Sequence, residues 1–75
     1  MDIKIYYCGV WNYLPKASRL EEELKTNFSN VQIDLIKGSG GIFEVLVNEK
    51  LIFDKLNTEF RFPKENEITN KINSL

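Results

Sequence analysis

Histidine is absent from this chain, and cysteine occurs once, at Cys8. A zinc site draws about four ligands from Cys, His and carboxylates at characteristic spacings, and none of those spacings is present. A secreted domain stapled by disulfides needs paired cysteines, so that class is excluded too. No apolar run approaches the roughly 20 residues of a membrane span. The opening Met1-Asp2-Ile3-Lys4-Ile5 reads as a strand and carries no signal-peptide apolar region. The glycosylation sequon Asn27-Phe28-Ser29 is therefore read as chance. An excess of one charge is also missing. Ten Lys and Arg are interspersed with eleven Asp and Glu, a net charge of −1, and no basic stripe forms that could track phosphates. The expectation is a soluble cytoplasmic protein with no nucleic-acid or membrane partner and no bound metal.

What remains is an ordinary globular composition on a short chain. Seventy-five residues make a single domain over residues 1–75, and at this size folding buries only roughly 60% of the unfolded surface. Five Phe, three Tyr and one Trp supply large apolar areas for so small a core.

Ile3, Ile5 and Tyr7 alternate with Lys4 and Tyr6, the period of a strand. The strand ends at Cys8-Gly9, where glycine permits a sharp change of direction. Ala17, Leu20, Leu24 and Phe28 then fall on one helical face. Asn12 is the favoured cap, with Pro15 in the first turn; Ser18 and Glu21 offer a competing capping box. Val31, Ile33 and Leu35 resume the alternation. Gly38-Ser39-Gly40-Gly41 is a turn; it lacks the Lys-Ser/Thr ending of a phosphate loop. Ile42 to Val47 and Leu51 to Phe53 form a hairpin turning at Asn48-Glu49. Pro63 is expected to open a last helix, with Ile68, Ile72 and Leu75 as its buried stripe. The order β-α-β-β-β-α predicts an α+β, two-layer sandwich. Its candidate core is Ile3, Ile5, Val31, Ile33, Phe43, Val45 and Phe53, covered by Leu20, Leu24, Ile68 and Ile72.

The segment Tyr7-Cys8-Gly9-Val10-Trp11-Asn12-Tyr13-Leu14-Pro15-Lys16 resembles the selenoprotein W (Rdx) signature. There Tyr-Cys-Gly-x-(Sec or Cys) precedes x-Tyr-x-Pro-Lys. Gly41-Ile42-Phe43-Glu44-Val45 and Arg61-Phe62-Pro63 resemble two later motifs of that family, although Phe60 stands where a Gly is often seen. The resemblance runs from about Ile3 to the end. It implies a thioredoxin-like fold, a role in cell redox homeostasis, and partnership with glutathione as co-substrate or with a redox protein.

The family's second redox residue falls at Trp11. Thiol–disulfide chemistry of this motif type needs one chalcogen to attack and another to resolve, and Trp does neither. Three origins of Trp11 fit the sequence. A UGA codon for Sec was converted to Trp, which would restore selenium natively. Alternatively, the source reads UGA as Trp, in keeping with the AT-rich composition suggested by eight Asn and eight Ile. In the third, Trp is authentic.

By its position Cys8 is either a buried small residue or a nucleophile supported by N–H groups at the helix start, with Lys16 as a second cationic influence. Under the resemblance it is the redox residue, as attacker or resolver. Trp11 is expected exposed at the loop tip, while Gly9, Tyr13, Pro15 and Lys16 shape the motif. Thioredoxins often carry a cis-proline beside the redox loop; none is available here, and the glycines at 38–41 are expected to let that backbone approach Cys8. Two functions follow: thiol redox chemistry limited to one cysteine, or a non-catalytic module docking through the Cys8–Trp11 loop.

Overall fold

The computed structural model describes all of residues 1–75. The alternating run at the start forms strand β1, Asp2–Cys8, and helix α1 follows at Leu14–Asn27. Strands β2 (Gln32–Gly38), β3 (Phe43–Val47) and β4 (Lys50–Asp54) come next. A π-helical turn at Lys55–Glu59 and a short helix α2, Glu67–Asn73, complete the chain. The sheet order is β2-β1-β3-β4. β1 runs parallel to β2 and antiparallel to β3, and β3 and β4 form the hairpin. The architecture is the expected α+β.

Register explains the core. Ile5 stands opposite Val45, and Val45 opposite Phe53, so alternation puts these side chains on one face. Ile3, Phe43 and Val47 join them, and Ala17, Leu20 and Leu24 of α1 with Ile68 and Ile72 of α2 close that face. Burying each large apolar side chain contributes about 1.5–3 kcal/mol before entropy is charged against it. The two helices are tied to each other by polar contacts. The Thr69 hydroxyl donates to Glu23 at 2.7 Å, Asn27 Nδ2 donates to Thr69 at 3.1 Å, and the Asn66 N–H donates to Glu23 at 3.1 Å.

Several expectations fail in instructive ways. Val31 precedes β2, and both Val31 and Ile33 are only half-buried, because β2 is an edge strand with a neighbour on one side. Asn12 does not cap α1: it turns with φ 59°, and Tyr13 occupies the cap without a side-chain bond. Ser18 and Glu21 lie inside α1, so the competing capping box is also absent. Pro63 does not open the last helix. Glu67 takes a bidentate pair of bonds from Arg61, at 2.7 and 2.9 Å, and also accepts the Lys64 N–H at 2.9 Å. That knot holds Phe62–Asn66 outside the helix, which begins at Glu67. Leu75 lies beyond its end and is exposed.

The hairpin turns where expected. Asn48 and Glu49 both have positive φ, 48° and 71°, which are the signs of a type I′ turn. Glu49 is a poor resident for that conformation, but its carboxylate pairs with Lys4 at 2.6 Å.

Candidate redox site at the end of the first strand

Cys8 is the last residue of β1, and its backbone is held on two sides. Its N–H donates to the Ile42 carbonyl at 2.9 Å, and the Gly9 N–H donates to the Gly38 carbonyl at 3.1 Å. The glycine-rich segment thus approaches the cysteine through backbone, as expected. Gly9–Asn12 then reverses the chain. Asn12 N–H bonds the Gly9 carbonyl at 3.2 Å and Tyr13 N–H bonds the Cys8 carbonyl at 3.0 Å, which delivers the chain into α1.

Inside this turn the Trp11 N–H points at the Cys8 sulfur, 3.4 Å away. The sulfur is thereby held against the backbone of the turn, at the start of the segment that leads into α1. The thiol itself is fully buried, while Val10 and Trp11 face outward, 79% and 58% exposed. Trp11 is therefore at the tip, as expected, and Cys8 is sealed beneath the turn.

Glycine is required where the indole lies. Gly41 has φ 82°, and a Cβ there would come within 2.6 Å of the Trp11 ring. At Gly9 the aliphatic stem of Lys37 lies in the space a Cβ would fill, although that exposed side chain is free to move aside. The Trp11 ring meets Tyr13 edge-on at 6.1 Å, Tyr13 meets Phe62 at 4.7 Å, and Phe62 meets Phe43 at 5.3 Å. Edge-to-face aromatic pairs of this kind contribute about 0.5–1.5 kcal/mol each beyond burial. They anchor the outer loop to the core.

Lys16, expected as a second cationic influence on Cys8, packs over an aromatic ring beside the turn. Its ammonium lies 5.1 Å from the centre of the Phe62 ring. Lys55, from the π-helical turn, sits 5.5 Å from Tyr13 and 5.3 Å from Phe62. Pro15 occupies the first turn of α1, where its missing N–H has no helical partner to lose.

The structure thus brings Cys8, Gly9, Trp11, Tyr13 and Pro15 together and turns Lys16 toward the aromatic chain. Gly41, from the glycine segment expected beside Cys8, lies in the same neighbourhood, as do Lys37, Lys55 and Phe62, which the sequence reading does not mark as site residues. For Lys37 a signal existed, since parallel pairing sets it opposite Tyr7 beside the motif. Lys55 had none, because its place depends on the π-helical turn. No group of three or more His, Cys, Asp and Glu is placed to hold a metal ion.

No curated protein matches the chain at a significant level. Among solved structures, a selenoprotein W-related protein from Vibrio cholerae superposes with a TM-score of 0.90 at 28% identity, covering 97% of this chain and 92% of that one. A protein from Bordetella parapertussis superposes with a TM-score of 0.91 at 24% identity, covering 97% and 94%. The fold is thus the thioredoxin-like α+β fold of selenoprotein W-related proteins. The family model described as the Rdx family matches residues 2–74, nearly the whole chain, and the chain belongs to that family.

Proposed function

We propose that the protein carries out thiol–disulfide exchange with a single cysteine in cytoplasmic redox homeostasis. The observation that supports it is the Trp11 N–H aimed at the Cys8 sulfur, inside a turn whose sequence resembles the family's redox motif except at Trp11. The Cys8 thiolate attacks one sulfur of a disulfide, and the other half leaves as a thiolate that takes up a proton. A second thiol, glutathione or one on a partner protein, then attacks the mixed disulfide. That attack regenerates Cys8 and releases a new disulfide, so the cycle moves one disulfide between external thiols. Trp11 takes no part in the sulfur chemistry; where residue 11 is selenocysteine, the selenolate attacks and Cys8 resolves.

A second reading has its own support. Cys8 is sealed while Val10, Trp11 and Leu14 are exposed, which suits a non-catalytic module docking through the loop. Incubating the native protein with glutathione disulfide separates the two. The redox reading expects one glutathione on Cys8 by mass, removed by dithiothreitol, forming faster than the chain unfolds. Modification that tracks the global unfolding rate would sink the redox reading and leave the docking module.

A further inference from the structure

The charge around the Cys8 turn is one-sided. Lys4, Lys25, Arg61 and Lys71 each pair with a carboxylate. Among the cations that pair with none, Lys16, Lys37 and Lys55 border the turn. Lys37 lies along Gly9, and the ammonium groups of Lys16 and Lys55 both stand about one ring-contact distance from Phe62, at 5.1 and 5.3 Å. The carboxylates nearest in sequence to Lys55 are engaged elsewhere. Asp54 accepts the N–H groups of Leu56 and Asn57 and the Asn57 side chain, and Glu59 faces Arg61 and Lys71. Three ammonium groups with no salt-bridge partner thus stand around the turn that covers the sulfur and give its rim a positive field.

We propose that this field makes the site select disulfides that carry carboxylates, with Lys16, Lys37 and Lys55 as the groups that receive them. The inference rests on the exchange reading above. Carboxylates near a disulfide occur in small peptides and in acidic protein segments alike, and the lysines are spaced around the turn rather than gathered in one pocket. An anionic disulfide is concentrated at the loop before the turn opens, and a cationic one is repelled.

The test compares rates of Cys8 modification by glutathione disulfide and by cystamine, which is dicationic. Two symmetrical peptide disulfides, one with Glu and one with Lys flanking its Cys, extend the comparison. At about 0.01 M ionic strength, where screening acts over about 30 Å, anionic probes should react about tenfold faster than their cationic counterparts. At 1 M, where it acts over about 3 Å, the ratio should fall to within about twofold. The double substitution Lys37→Gln, Lys55→Gln should lower the low-salt ratio to about threefold or less, with circular dichroism confirming the fold. A preference within the small pair alone assigns the selection to small peptides; one in both pairs extends it to acidic protein segments. Reaction with every probe at salt-independent, charge-independent rates overturns the selection and leaves the exchange reading intact. A ratio unmoved by the double substitution overturns the assignment to these lysines. No reaction with any probe overturns both readings.

Discussion

Replacing Trp11 by Cys tests whether the loop retains the geometry of a two-residue redox motif. The Cys8 sulfur already lies 3.4 Å from the nitrogen of residue 11, and the Cα of residue 11 is one bond of about 1.46 Å further on. The two side chains are thus within reach of the Cα separation of about 4.4–6.8 Å that a disulfide needs. Two opposing effects set the stability. Removing an indole that is 58% exposed forfeits roughly 100 Å² of buried area, about 2.5 kcal/mol at most. Closing a four-residue loop restores about 2 kcal/mol on the chain-entropy account. The reduced variant should therefore melt below the wild type and the oxidised variant close to it. The gap between the two forms should be about 8–16 °C at this chain length. Mild oxidant should remove two hydrogens from the monomer by mass and protect both thiols from alkylation; dithiothreitol should reverse both. The wild type should form only mixed disulfides or intermolecular dimers. A folded variant that keeps two alkylatable thiols under the same oxidant would refute the geometry, and with it the carry-over of redox function from the family.

Two further outcomes follow from local geometry. Phe60 is 75% exposed and sits in the left-handed region at φ 59°, where a non-glycine residue is strained by about 1–2 kcal/mol. Because its side chain packs on little, Phe60→Gly should stabilise the fold by about 0.5–1 kcal/mol in urea unfolding, after glycine's extra chain entropy is subtracted; a loss of stability would mean that the ring makes contacts that matter. The Arg61 guanidinium, followed by the Lys64 N–H, holds the Glu67 carboxyl down at about 2, against an ordinary 4.5. Its contribution is fully present above about pH 5 and is lost as pH falls through 4.5 toward 2. That shift has a ceiling of about 3 kcal/mol, which water around the partly exposed Arg61 reduces to about 1 kcal/mol. Unfolding free energies measured from pH 6 to pH 2 should fall less steeply for Glu67→Gln, and equal slopes would remove Glu67 from the acid response.

The elements that sequence reading placed well are those whose pattern reports directly on burial. β1 and β3 alternate because each has a sheet neighbour on both sides and a helix over one face. The α1 stripe at Ala17, Leu20 and Leu24 is equally direct. β2 carries the same alternation, yet Ile33 and Leu35 are only half-buried, since nothing in a strand's own pattern says that it lies at the sheet edge. The start of α2 misleads for a related reason. Pro63 and Glu65 are good helix-start residues, but a bidentate contact between Arg61 and Glu67 overrides local preference. The π-helical turn rests on Asp54 accepting two backbone N–H groups, and hydrophobic periodicity carries no trace of that.

At the site the motif was legible, and burial of its sulfur was one of the two readings its position allowed. A strand that ends at Cys8 and reverses through Gly9–Asn12 must send the backbone of residue 11 inward, because its N–H reaches the sulfur. The same reversal leaves the side chain of residue 11 outside, where the exposed Trp11 ring lies against Gly41. In a chain with a chalcogen at both positions, this geometry makes the outer one the first to meet a substrate. The buried one is then the natural resolver. Here the outer position carries an indole, so under the proposed exchange reading chemistry begins at the inner sulfur and waits on the turn opening. The Trp11→Cys variant makes that order visible: in its reduced form the introduced thiol should be alkylated before Cys8 in a timed series read by peptide mass. If Cys8 reacted first, the sealed sulfur of the folded state would not be the state that limits reaction. The division of labour between the two positions would then have to be reversed.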